Sequence, residues 1–323
     1  MSTRIIDYPH PVDESFYHES IKAMTQRLME TPGVKTVYQV GGVSSPGISD
    51  LDMVVVFNDG ARVERNFLSG LKKEDRYLFI HNLYGISTNN FADAERFAFY
   101  HHYQLLGGEE VRSYPKLNQQ ELEVLKIQIA LEYMVKMHIT LFLQERYHVL
   151  RMRDLLLHIK ALQYDLEFIG DTAGLVNRHV LQVIEWRKKW FRETPAKREI
   201  LEWWEGFYPG FNQLLAEKLK AHPFYLPPMK AYRVAGNVLM LPSEGKFEPS
   251  QKGFILPGYF AFIGKKFFRL QNKLNRFQFT IPVQSEHIPG ALEKKFRFEK
   301  KIVDYNREFL PFFLPVTSSL HAF

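Results

Sequence analysis

Between residues 14 and 30, apolar side chains recur at Phe16, Ile21, Met24 and Leu28, close to the 3.6-residue period of a helix with one buried face. Thr31-Pro32-Gly33 ends that pattern. The β-branched run Val34 to Val40 then predicts a strand leading into Gly41-Gly42. After the loop 43–49, the run Asp50-Leu51-Asp52-Met53-Val54-Val55-Val56-Phe57 reads as a buried strand with polar residues at its start, and Asn58-Asp59-Gly60 turns it. A partly helical connection through Phe67 and Leu71 leads to a further strand over 77–84. A helix around 92–103 and a short strand near 105–111 complete an α/β unit that ends near Pro115.

From Asn118 the texture changes. Asn118-Gln119-Gln120-Glu121 has the form of a capping box, and Leu122, Leu125, Ile129 and Tyr133 share one helical face. Further helices are expected at about 149–169, 174–192, 196–205 and 211–221, with Gly170, Thr194-Pro195 and Pro209-Gly210 as breaks. All four tryptophans fall here, and Trp186 and Trp190, four residues apart, fit a packed core better than a ligand stack. His222-Pro223 and Pro227-Pro228 mark a boundary, beyond which short β-like pieces mix with Pro and Gly. The expected class is α+β: a mixed-sheet domain over 1–115, a helical domain over 116–222 and a mixed, basic region over 223–323.

The 323 residues are 46% hydrophobic and 24% charged, as in an ordinary globular protein, which excludes wholesale disorder, a collagen-like repeat and a coiled-coil rod. With no cysteine, the chain has no disulfides, thiolate zinc sites, iron–sulfur clusters or thiol nucleophiles. The N-terminal Met-Ser-Thr-Arg-Ile-Ile-Asp lacks the apolar core of a signal peptide, and no stretch of about 18 uncharged apolar residues occurs, so a cytoplasmic protein without a transmembrane segment is expected. The net charge of +6 is uneven. Residues 1–115 carry 11 Lys and Arg against 15 Asp and Glu, 116–251 carry 19 against 16, and 252–323 carry 12 against 5. The basic end attracts anions, or serves as a solvated face that keeps the protein soluble.

The chemistry concentrates around Asp50 and Asp52. Two carboxylates at i and i+2 of a strand point to the same face, about 6–7 Å apart along the chain, and can grip one divalent ion or a pair. Mg²⁺ favours such oxygens together with substrate phosphates. The preceding Gly41-Gly42 turn has no side chains to block close approach. Its N–H groups, with the Ser44 and Ser45 hydroxyls, can hold the β- and γ-phosphates of a nucleotide.

The string Val40-Gly41-Gly42-Val43-Ser44-Ser45-Pro46-Gly47-Ile48-Ser49-Asp50-Leu51-Asp52-Met53-Val54-Val55 resembles the signature of the polymerase-β-like nucleotidyltransferase superfamily: a strand, Gly-Gly, a variable loop, and Asp-hydrophobic-Asp opening the next strand. The resemblance covers roughly residues 15–112. It implies a nucleotidyltransferase-like mixed sheet, a helical domain across the cleft, and transfer of a nucleoside monophosphate from an NTP to an acceptor, with Mg²⁺ (or Mn²⁺) held by Asp50 and Asp52. Members of that family usually add a third carboxylate on a later strand. The corresponding run here, 77–84, has His81 at its centre, followed by Asn82. His81 is either a neutral metal ligand or general base, or a hydrogen-bonded structural histidine. Glu74 and Asp75 precede the run and substitute only if the register slips. Lys160, on the expected helix 149–169, either reaches a triphosphate or lies on a solvated helix face.

The leading expectation is a metal-dependent nucleotidyltransferase with an unidentified acceptor, which the basic tail inclines toward an anionic one. A catalytically degenerate nucleotide-binding or interaction protein on the same fold is the first alternative. The second is a nucleic-acid-binding protein that uses the basic C-terminal region. There, residues 260–277 interleave cations with aromatics, a pattern that fits nucleic acid, an anionic lipid surface or a plain packed helix.

Overall fold

The computed structural model of the protein describes residues 3–98 and 102–317 together with Leu320, the side chain of Lys265 excepted. In chain order, strand β1 (Arg4–Ile6) is followed by α1 (Glu14–Met29), β2 (Val34–Val40), β3 (Asp52–Phe57), α2 (Lys73–Leu78), β4 (Tyr84–Ser87), α3 (Thr88–Phe97) and β5 (Tyr103–Gly108). Then come α4 (Gln119–Arg146), β6 (Val149–Arg151), α5 (Met152–Phe168), α6 (Leu175–Lys189) and α7 (Lys197–Ala221). The chain ends through β7 (Tyr232–Ala235), β8 (Val238–Ser243), β9 (Glu248–Gly253), a 3₁₀ turn over Gly258–Ile263, α8 (Lys265–Leu274), β10 (Asn275–Pro282), α9 (Gly290–Phe309) and β11 (Leu314–Pro315).

These elements form two compact units, neither continuous in sequence. One comprises residues 10–121 and 293–318; the other comprises 1–9, 122–292 and 319–323. The region 223–323, expected as one piece, is thereby divided between them.

The first unit is built on a mixed sheet in the order β11-β4-β3-β2-β5. β2 is antiparallel to both β3 and β5, whereas β4 runs parallel to β3 and to β11. Alternation along β3 sends Leu51, Met53, Val55 and Phe57 into a core shared with Tyr17, Met24 and Leu28 of α1. The opposite parity places Asp52 with Val54 and Val56. Tyr38, paired with Val54, carries the Phe91 ring of α3 stacked on that second face at 5.5 Å. Sheet strands buried on both faces explain the continuous Met-Val-Val-Val-Phe run. In α1 the fully buried stripe is Tyr17, Ser20, Met24 and Leu28, and Phe16 and Ile21 flank it.

Three expectations are corrected. Residues 77–84 are not a strand: Lys73–Leu78 is a helix, the chain then runs irregularly, and the strand starts only at Tyr84. The burial of that run does not alternate, since Leu78 and Phe79 are both buried while Ile80 is exposed. The helix near 92–103 starts earlier, at Thr88, and ends at Phe97; residues 99–101 lie outside the described ones. Pro209-Gly210 does not end a helix either, because α7 runs through it from Lys197 to Ala221. An internal proline costs about 3 kcal/mol. Here Trp203, Phe207 and Phe211 form a continuous buried stack across it, with ring centroids 4.8 and 5.7 Å apart.

In the second unit, α6 and α7 pack through the tryptophans. All four are buried, and Trp186 meets Trp203 edge-on at 5.5 Å. The sheet β7-β8-β10-β9 and the parallel pair β1-β6 complete this unit. At the start of α4, which begins in the first unit, the Glu121 N–H donates to Asn118 Oδ1 at 2.8 Å, the expected cap bond.

Candidate metal and nucleotide site

Three chain segments meet at one end of the first unit's sheet. Val40 is paired with Asp52, so β2 leaves into Gly41-Gly42 at the edge where Asp50 and Asp52 enter β3. β4 is parallel to β3 and starts with Tyr84 opposite Val54, so the residues just before it, including His81, arrive at that same end. Leu51, between the two acids, is buried in the core and donates its N–H to the Leu78 carbonyl at 2.9 Å, which fixes the acids' common orientation.

Asp50, Asp52 and His81 converge there. Each offers a ligand atom, and these atoms lie within 4.8 Å of one another, the one such group among the described residues that could hold a metal ion. His81 thus reaches the two acids from the segment between α2 and β4 rather than from the middle of a strand. Its Nδ1 stands 2.7 Å from the Asn82 carbonyl. A carbonyl only accepts, so Nδ1 carries the hydrogen and Nε2 is the free valence of the neutral ring. Nε2 lies 2.8 Å from Asp52 Oδ1. That oxygen is buried and receives no aligned hydrogen bond. A lone pair facing a buried carboxylate oxygen is unfavourable unless a proton or a cation lies between them.

Burial opposes protonation of the His81 ring. The adjoining Asp52 carboxylate, the Asn82 carbonyl and the charge of Asp50 outweigh it and raise the pKa above the usual histidine value. A divalent ion would serve the same buried oxygen and the same lone pair in place of that proton, so the residues present fit a metal. Glu74 and Asp75 lie on α2; Asp75 Oδ1 accepts the Ser20 hydroxyl at 2.9 Å, and neither belongs to the group.

The loop before the acids is braced from within. Gly41 has φ +71°, a left-handed conformation that favours glycine, and a Cβ at either Gly41 or Gly42 would meet nothing within 4 Å. Open space therefore lies in front of both. The Gly41 N–H is given to the His102 carbonyl, that of Ser44 to the Gly42 carbonyl and that of Ser45 to Ser49 Oγ. Ser44 is exposed and Ser45 is buried. Ser45 therefore shapes the loop, and Ser44 is the hydroxyl on the open side. Lys160 belongs to the other unit, on α5, where its ammonium lies 3.4 Å from Tyr164 Oη and above that ring.

Two tyrosines outside the motif hold this loop. The buried Tyr17 hydroxyl donates to the Ser49 carbonyl at 2.7 Å and accepts the Gly47 N–H at 3.0 Å, while Tyr77 Oη donates to the Gly47 carbonyl at 2.6 Å. Their spacing from the motif hides them in the sequence; the one signal for Tyr17 is its place in the buried stripe of α1. Tyr17→Phe is expected to cost about 1–3 kcal/mol by stranding two buried backbone groups. It should also weaken Mn²⁺ binding, because the loop that delivers Asp50 loses its brace. Urea denaturation and calorimetric titration check the two effects.

No protein-family model, curated protein or solved structure matches the chain.

Proposed function

We propose that this protein is a metal-dependent nucleotidyltransferase on a nucleotidyltransferase-like sheet. The observation that carries the reading is the convergence of Asp50, Asp52 and His81 at the end of the sheet where Gly41-Gly42 leaves β2. Asp50, Asp52 and the Nε2 of His81 hold the divalent ion, and the open face of Gly42 and Ser44 receives the triphosphate. A divalent ion held there would neutralise phosphate charge during transfer of the α-phosphoryl group from pyrophosphate to an acceptor hydroxyl, whose proton would pass to solvent. An imidazole in the third position suits Mn²⁺ better than Mg²⁺, which strongly favours an all-oxygen shell.

A second reading rests on that same imidazole. A site with two carboxylates instead of three fits a nucleotide-binding relative without turnover. Pyrophosphate release over a panel of NTPs and acceptors, with equilibrium NTP binding alongside, separates the two. Turnover that needs Mn²⁺ or Mg²⁺, is depressed by His81→Ala and is retained by His81→Asp supports the enzyme. Metal-dependent NTP binding without pyrophosphate release supports the binding protein. NTP binding indifferent to divalent ions overturns both.

A further inference from the structure

One surface of the second unit combines charge and apolar side chains. Between Glu248 and Glu286 the chain carries six Lys and Arg and no Asp or Glu. In the fold five of these cations come together. Lys252 on β9 stands directly across from Arg276 on β10, and the Arg276 guanidinium donates to the Asn272 and Lys273 carbonyls at the end of α8, at 3.2 and 3.3 Å. Lys266, Arg269 and Lys273 follow at three- and four-residue steps, one stripe along α8.

Like charges opposite each other in a sheet repel. Among the described residues none of these five side chains is paired with a carboxylate. Other surface cations are matched on their own helices: Lys188 with Glu185, Arg198 with Glu202, Lys300 with Asp304.

The apolar component is equally exposed. Phe254 is 64% exposed, Tyr259 56% and Phe262 75%, and on α8 Leu270 is 42% and Leu274 45% exposed. Leu270 and Leu274 border the cationic stripe. The inner side of α8 is fixed by the buried Phe267 and by Gln271, whose amide exchanges hydrogen bonds with the Leu256 backbone at 2.8 and 3.1 Å. The outer side is therefore held rigidly in this mixed composition.

We propose that this face docks on an anionic phospholipid bilayer, its cations against lipid phosphates and its Phe, Tyr and Leu side chains in the interfacial layer. Charge complementarity selects an anionic partner. The aliphatic Leu270 and Leu274 favour lipid over nucleic acid, because they have no π face on which a base could stack. The attachment is peripheral, since among the described residues no helix is long and apolar enough to cross a membrane.

Sedimentation of the full chain with vesicles tests this, using phosphatidylcholine alone and an equal mixture with phosphatidylglycerol. Binding is expected only to the mixed vesicles, falling with added salt. Lys266→Glu/Lys273→Glu and Leu270→Ser/Leu274→Ser should each weaken it about tenfold or more, with folding checked by circular dichroism. Phe262→Ser, at the most exposed of these positions, takes the place of either pair should it unfold. Equal binding to both vesicle types, or leucine variants that bind like the parent, overturns the proposal. So does binding of a single-stranded RNA homopolymer that the lysine variants lose and the leucine variants keep, without vesicle binding.

Discussion

Asp52→Asn is expected to lower divalent-ion-dependent pyrophosphate release by at least about 100-fold, since even the groups that merely support metal ligands are worth 10- to 100-fold. The exchange keeps size and shape and removes one charge from an atom that lies beside His81 Nε2 and has no aligned hydrogen bond. The far-UV spectrum and the urea midpoint should stay close to those of the parent. Calorimetric titration with Mn²⁺ should show the affinity lost in parallel. Asp50→Asn is expected to behave alike, as the two carboxylates belong to the same candidate ligand group. Asp75→Asn provides the comparison, because that acid lies outside the ligand group. Full metal-dependent turnover in both the Asp50 and Asp52 variants would remove the catalytic assignment, whatever the NTP-binding data say.

A second large effect lies far from the motif in sequence. Phe313→Ala is expected to destabilise the first unit by about 3–5 kcal/mol, a large part of the 5–15 kcal/mol that roughly measures a domain's stability. Phe313 is buried, its ring meets Phe57 edge-on at 5.0 Å and Phe67 at 5.9 Å, and its Cβ would stand 2.7 Å from a Cβ added to Gly85. Gly85 therefore has no side chain because Phe313 fills the space. Around this contact, Leu314 N–H donates to the Leu83 carbonyl at 2.8 Å and Asn306 Nδ2 donates to the Gly85 carbonyl at 3.0 Å. Deleting 293–318 removes all of these at once and bares one side of β4, so that variant should not fold its first unit. An unchanged urea midpoint for Phe313→Ala would show that the tail contributes nothing to this core.

How much of this was legible in the sequence depended on the length and regularity of each element. α1, β2 and β3 each had a periodic or β-branched run bounded by Pro, Gly or Asn-Asp-Gly, and the two acids followed from their place at the start of β3. The sequence pattern brings His81 to the site through the wrong element, a strand centre instead of the segment between α2 and β4. The six residues of α2 are too few to show a helical period, and no Pro or Gly separates its apolar end from Leu83 and Tyr84, which imitates one strand. β11 was illegible: two residues, Leu314 and Pro315, carry no pattern, and their partner lies more than 200 positions away. Pro209 misled because its local cost is visible in the sequence while the aromatic stack that offsets it is not. Ser45 could not be told from Ser44 by type; only the fold shows that one is buried and the other faces outward.

The return of α9 and β11 to the sheet that carries Asp50 and Asp52 also sets an order of events during synthesis. At roughly 5–20 residues per second, the chain spends on the order of 10–40 s extending from the end of the first segment of this unit to the strand that completes it. Throughout that interval Phe57 and Phe67 have no Phe313 to pack against, and β4 has an open edge. The nascent chain therefore emerges with Asp50, Asp52 and His81 already made but their scaffold unfinished, exposed to chaperones. It acquires a closed core only when the distal segment has left the ribosome.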